Sequence, residues 1–286
     1  MAVNNGNWID KYTYPNTNVL INKFNIMDYD KLHEMERKIS TLAGSQINEK
    51  GIKGNFDLKH LQAIHKALFS DIYNWAGEIR SIDIAKSNLF CRAQFINSYA
   101  ESVFGELKED KYLVGMNKER AIRKLASYMG DINALHPFRE GNGRTQRHFI
   151  KQLAKATGIE LKLCKVDSDR MMSASLASFQ GDSKQFEAIF NEVAEPMSLQ
   201  EQEAFLKSVS KVAYKEFLEQ KKEGLLPDRV MEFAKINNER IQVEQSKSGM
   251  SLNEWKEAMN RNNSSNVMGY NKEHEMEIKS AESEKE

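Results

Sequence analysis

His136-Pro-Phe-Arg-Glu-Gly-Asn-Gly-Arg-Thr-Gln-Arg147 packs a histidine, a carboxylate, two glycines around an asparagine and two arginines into one turn and the start of a helix. A neutral imidazole can take a proton near pH 7. Glycines let backbone N–H groups approach an anion closely, and arginines three apart share a helical face for phosphate oxygens. Pro137 biases His136 out of the helical region, which ends the preceding helix and leaves the imidazole on a rigid turn. Phe138 is expected to plug into the core beneath it. Glu140 is placed for a hard divalent cation such as Mg²⁺, Gly141, Asn142 and Gly143 for an anion-binding turn, and Arg144 and Arg147 for phosphate oxygens. An ordinary capping turn accounts for Pro137 and the glycines, but not for a histidine, an acid and two arginines converging there. The stretch therefore predicts a phosphate cradle with a built-in base.

Upstream, the pattern is helical. From Asn117 to His136 the positions Ile122, Leu125, Ala126, Met129, Ile132 and Asn133 form an inward stripe, so this helix delivers His136 from a packed base. A helix over Ile96 to Leu107 precedes it. Ile79 to Phe95 reads differently: Ile82 and Ile84 alternate with Ser81 and Asp83, a Lys-Ser-Asn break follows, and Leu89, Phe90 and Cys91 resume apolar character. This predicts a short β-hairpin whose edge could hold an extended segment of a protein substrate. Asp57 caps a further helix carrying Leu58, Leu61, Ile64, Leu68 and Phe69. His60 and His65 on it are five apart, a spacing that shares no face for a metal, so they read as solvated or packing histidines. Leu32, Met35, Ile39 and Leu42 predict an amphipathic helix from Tyr29 to Ala43, behind an N-terminal arm that turns at Tyr14-Pro15-Asn16-Thr17.

Composition bounds what this loop can belong to. The chain has 286 residues, enough for one large domain or two smaller ones. Lys+Arg and Asp+Glu number 41 each, so no global field points to nucleic acid or to an acidic membrane. Cys91 and Cys164 lie far apart without metal spacing and read as structural thiols of a reducing compartment. No apolar run approaches the roughly 18 residues of a membrane span, and the N-terminus lacks a signal-peptide core, so a soluble, unprocessed chain is expected.

The stretch from His136 to Arg147 resembles the signature of the Fic family, His-Pro-Phe-x-Asp/Glu-Gly-Asn-Gly-Arg-x-x-Arg, and matches it at every fixed position. The similarity extends upstream through Gly54-Asn-Phe-Asp57, His60-Leu61, Ile64-His65, Trp75-Ala-Gly-Glu78 and the segment with Lys86 and Phe90, over roughly residues 12 to 195. It implies an all-α, Fic-type helical bundle with a short β-hairpin flap, and transfer of AMP from ATP to a hydroxyl of a target protein with release of pyrophosphate. By that resemblance His136 is the general base and Glu140 holds Mg²⁺ between the α- and β-phosphates. Gly141, Asn142, Gly143 and Arg144 bind phosphate oxygens, Arg147 binds the γ-phosphate, and Lys86 and Phe90 dock the target on the flap. The Glu140 form of the signature favours AMP transfer over phosphate or phosphocholine chemistry. A non-catalytic nucleotide-binding module and transfer of another nucleotide such as UMP remain the alternatives.

After Pro196 the pattern changes. Ser198 and Glu201 make a capping box before the stripe Phe205, Val209, Val212, Ala213 and Phe217, which predicts one helix ending at Gly224 and another opening after Leu225-Leu-Pro-Asp228. The division expected is a Fic domain over 1–195, a C-terminal helical segment over 196–262 and a disordered polar tail over 263–286, with a second capping box at Ser251 to Glu254 opening a short helix. Fic enzymes are often silenced by a helix bearing Ser/Thr-x-x-x-Glu-Gly/Asn, carried in the toxin branch by a separate small antitoxin. Glu223-Gly224 resembles that segment fused in cis, with Glu219 where Ser or Thr belongs, and predicts a Glu223–Arg147 pair. Ordinary helix-stop signals account for the same residues. The resemblance points to a bacterial cytoplasmic protein and leaves delivery to another cell open. By family precedent its targets are DNA gyrase or topoisomerase IV subunits, with a separate small antitoxin as partner where none is fused.

Overall fold

A computed structural model describes residues 10–84, 90–248 and 254. The chain divides into two compact units, residues 1–230 and 231–286. The expected division at 195 and 196 is not where compactness breaks, because the helices that follow Pro196 pack within the first unit.

Four helices lead to the site, three of them with side-chain caps. Helix α1 (Tyr29–Lys50) starts where the Asp28 carboxylate accepts from the Lys31 N–H, and it stops at Gly51. Its buried face is Leu32, Glu36, Ser40, Gly44 and Ile47. Met35 and Leu42, expected inside, are exposed. The helix is turned relative to its apolar pattern because Glu36 and Ser40 have polar partners inside, described below, which offset the cost of burying them. Asp57 caps α2 (Leu58–Phe69), α3 covers Ile96–Glu109, and Asn117 caps α4 (Lys118–Leu135). All six residues of the α4 stripe are buried as expected.

Helix α5 (Asn142–Ala156) is the axis of the unit, packed against α1, α2 and α4. Phe149, Ile150 and Leu153 on it are fully buried, and the Phe149 ring meets Phe56 and Phe104 edge-on. The chain then forms β1 (Ile159–Leu161), α6 (Ser168–Phe179), α7 (Lys184–Val193) and β2 (Ala194–Pro196). The two strands pair antiparallel, with Ile159 opposite Pro196 and Leu161 opposite Ala194.

The Ser198–Glu201 capping box opens α8 (Leu199–Val209). The single helix expected up to Gly224 is two, because Ser210 is extended (φ −139°, ψ 108°) and caps α9 (Lys211–Glu223). Each helix thereby turns its own apolar residues inward: Leu206 and Val209 on α8, Ala213 and Phe217 on α9. Helix α10 (Arg229–Ser248) begins within the first unit, where Arg229 donates to the carbonyls of Thr157 and Met116. The expected tail over 263–286 lies outside the described residues, as does the short helix expected after Ser251 except for Glu254. No described helix is long and apolar enough to cross a membrane.

The predicted hairpin falls only in part on described residues. Its centre, 85–89, lies outside the described residues, and no backbone hydrogen bond joins the described flanks 79–84 and 90–95. Four backbone groups of these flanks are engaged elsewhere. The Arg80 N–H goes to Pro137 O, the Cys91 N–H goes to Ala134 O, and the Arg80 guanidinium takes the carbonyls of Ile82 and Cys91. The all-α class stands, and the two-stranded sheet among the described residues is β1 with β2.

Candidate active site

Helix α4 ends at His136, which caps it in the left-handed region (φ 43°, ψ 58°). Pro137 keeps it out of the right-handed helix, and the αL turn swings the imidazole off the helix axis. Nδ1 lies 3.2 Å from Asn133 O, which can only accept, so Nδ1 carries the proton and Nε2 the lone pair. The Phe90 ring stacks on the imidazole at 3.6 Å between centroids. Arg80, itself buried, donates from Nε to His136 O at 2.8 Å. Backbone, ring face and tautomer of the histidine are therefore all held, each by a different part of the chain.

The loop below is fixed from α2. Phe138 is buried and stacks on His65 at 3.9 Å. His65 Nδ1 accepts from Gly77 N–H at 2.8 Å, so its Nε2 donates to Glu140 O at 3.0 Å. Burial above all pushes the His65 pKa down to about 4, which keeps this bridge neutral. His60 is held likewise between Phe56 N–H and Ile52 O. Both histidines are packing residues, within the reading made from their spacing.

Gly141 sits at φ +80°, and a Cβ there would meet the Phe69 ring at 2.4 Å, so only glycine passes. Helix α5 opens directly after it, with the positive end of its dipole at the loop. The half-exposed Glu140 carboxylate accepts from Gly141 N–H at 2.8 Å. Mg²⁺ takes one or two carboxylates and completes its shell with water and phosphate oxygens, so one such carboxylate beside a phosphate cradle fits the ion. Among the described residues no group of three or more His, Cys, Asp or Glu forms a protein-only cage.

The two arginines differ. Arg144 donates from Nη1 to Ser40 Oγ at 2.9 Å and from Nη2 to Glu36, and lies 4.7 Å over the Phe69 ring. Arg147 has its Nη1 over the first turn of α5, 3.3 Å from where a Cβ on Gly143 would stand. Among the described residues no hydrogen bond or ion pair engages its guanidinium. Burial, and then the charge of Arg144, push its pKa down. A half-buried cation without a counter-charge, at a helix N-terminus, is an anion site.

Three expectations change. Asn142 was expected on phosphate, but its side-chain amide clamps the loop, accepting from Phe138 N–H at 2.9 Å and donating to Phe138 O at 2.7 Å. Its backbone N–H, in the first turn of α5, is what remains for an anion. Glu223 is exposed on the last turn of α9 and makes no pair with Arg147. The reason is topological: Gln202 of α8 donates to Ala156 O at the far end of α5, and Gln220 of α9 donates to Val114 O. Ala156 is nine residues past Arg147, about 14 Å along a helix. Gly224 is an ordinary αL stop (φ +71°). Of the two flap residues, Phe90 lies on the His136 ring instead of exposed for docking, and Lys86 falls outside the described residues.

Sequence reasoning missed Glu36, Tyr73 and Arg80, and it missed Asp10, whose carboxylate pairs with Arg139 of the loop at 2.8 Å. The one available signal was Glu36, a lone acid on what became the inner face of α1.

The model of the Fic/DOC family matches residues 55–154. The protein adenylyltransferase VbhT of Bartonella schoenbuchensis is 39% identical over 181 residues, 63% of this chain but 38% of that protein. In Escherichia coli K12 a protein named "Probable protein adenylyltransferase Fic" is 34% identical over 187 residues, 64% of this chain and 92% of its own length. Among solved structures, the N-terminal Fic domain of a VirB-translocated Bep effector of Bartonella quintana, with bound ADP, superposes with a TM-score of 0.62 at 25% identity, covering 65% of this chain and 95% of that one.

Proposed function

The chain belongs to the Fic/DOC family, and from that premise we propose that it transfers AMP from ATP to a hydroxyl side chain of a target protein. The observation that carries this reading is Arg147, a half-buried guanidinium with no counter-charge among the described residues, over the N-terminus of α5 and in one loop with a histidine of set tautomer. Polyphosphate supplies the missing negative charge. His136 Nε2 takes the proton of the target hydroxyl while its oxygen attacks the α-phosphorus. The bond from that phosphorus to the bridging oxygen breaks, and pyrophosphate leaves. A positioned base of this kind contributes typically 10²- to 10⁴-fold. Arg147 and the first amides of α5 hold the leaving phosphates, and preorganised charge of this sort lowers the barrier because nothing reorients during reaction. Glu140 would hold Mg²⁺, which when bound neutralises charge on the polyphosphate.

Gyrase and topoisomerase IV subunits are the first targets to test, by the precedent of the resembling family. With Glu223 exposed at the end of α9 and no acid paired with Arg147 among the described residues, a separate small partner is the source proposed for a restraining glutamate. The deciding experiment incubates the full chain with labelled ATP and bacterial lysate, beside His136→Ala. Label on a protein band with wild type only, and a mass gain equal to AMP, is expected. Label persisting with His136→Ala would overturn the base. No label with either would favour a non-catalytic nucleotide-binding module, and a gain with UTP instead of ATP would favour transfer of UMP.

A further inference from the structure

We infer that Glu36 on α1 is a positioning residue for the nucleotide: it sets the pose in which Arg144 meets the polyphosphate. This rests on the phosphate-binding reading of the loop. Glu36 and Ser40 lie one turn apart on the buried face of α1 and divide the Arg144 guanidinium between them, Nη2 on Glu36 Oε1 and Nη1 on Ser40 Oγ at 2.9 Å. The other Glu36 oxygen accepts from the Tyr73 hydroxyl. Burial first, and then the charge of Glu36, raise the Tyr73 pKa, so that hydroxyl stays a donor at every working pH. The Phe69 ring closes one face of the guanidinium at 4.7 Å. Four groups from α1, α2 and the turn after α2 thus hold an arginine in the first turn of α5.

A carboxylate only 5% exposed is costly to bury unless paired, and this one has both oxygens engaged. The Arg144 side chain is 27% exposed, and its Nη2 stands 3.8 Å from Glu140 Oε1. Both terminal nitrogens of the guanidinium are anchored, and the Nη2 held by Glu36 is also the atom that borders Glu140 of the loop. Anchoring does two things. It keeps Arg144 from closing fully on Glu140, which leaves that carboxylate for other ligands. It also fixes the remaining Arg144 donors before nucleotide arrives, so their ordering is not charged against binding.

The test is a double-mutant cycle on the full chain, read as the calorimetric affinity for α,β-methylene-ATP in excess magnesium, an analogue whose α–β bridge cannot be cleaved. Glu36→Gln keeps shape but removes the charge that orients Arg144. It is expected to weaken binding about ten-fold, the size of a lost charge-assisted hydrogen bond. In an Arg144→Gln background the same change is expected to cost nothing further, which a merely structural role would not produce. Equal or tighter binding by Glu36→Gln, or an undiminished loss in the Arg144→Gln background, would overturn the inference alone. No binding by wild type would overturn the nucleotide reading together with it. Should Glu36→Gln not fold, Tyr73→Phe leaves the ion pair but removes the second anchor, with about a three-fold loss expected. Unchanged affinity in that variant would likewise overturn the inference.

Discussion

Acid should loosen this protein well above the pH at which its carboxylates titrate, and histidines held low by burial, His60 and His65 with His148, are the reason. The His60 and His65 imidazoles are buried, at 1% and 0% exposure, each donating to a backbone carbonyl and accepting from a backbone N–H. Burial pushes both pKa values down to about 4, against about 6.5 for an imidazole in the unfolded chain. Between those values the unfolded state binds protons that the native state refuses. The stabilisation is therefore complete above about pH 6.5 and is lost as pH falls toward 4. Between pH 7 and pH 5 each ring costs about 2 kcal/mol and the pair about 4 kcal/mol, a large part of the 5–15 kcal/mol typical of a folded domain. Urea melts at pH 7, 6 and 5 measure this directly. His65→Gln, which can still donate to Glu140 O but does not titrate, is expected to lose about 2 kcal/mol over the same interval. Carboxylates held low, such as Asp110 and Glu160, titrate mostly below this window and cancel between the two proteins. Equal pH losses in wild type and variant, or a flat profile from pH 7 to pH 5, would refute the argument.

Three further outcomes are expected. Gly141→Ala should destabilise the chain by about 2–4 kcal/mol, since its Cβ would stand 2.4 Å from the Phe69 ring at φ +80°; calorimetric melting checks this. Arg147→Met should raise the melting temperature of the nucleotide-free protein by about 2–4 °C, from removal of an uncompensated charge worth about 1 kcal/mol, while lowering ATP affinity at least about ten-fold. A lower melting temperature would mean that the guanidinium is compensated. Glu223→Gly should leave incorporation of labelled AMP unchanged, because the carboxylate is exposed and unpaired with Arg147; increased incorporation would restore inhibition in cis.

What the sequence determined by itself is what short-range rules govern. The caps at Asp57, Asn117 and Ser198 are where residue chemistry places them, and so is the buried stripe of α4. The turn from His136 to Gly143 is contiguous, so its αL histidine, its Gly141 and the helix that follows are local consequences of local residues. Periodicity failed where partners distant in the chain chose the buried face. Met35 and Leu42 went to solvent because Glu36 faces Arg144, 108 positions away, and Tyr73. One expected helix became two at Ser210, since α8 and α9 bury their apolar residues against different neighbours. Only the tertiary structure separated the two arginines of the loop. Three residues apart on one helix, they read alike in sequence, yet Arg144 meets a carboxylate from α1 and Arg147 meets none among the described residues, because a counter-charge is a matter of distance in space that spacing along a chain does not encode.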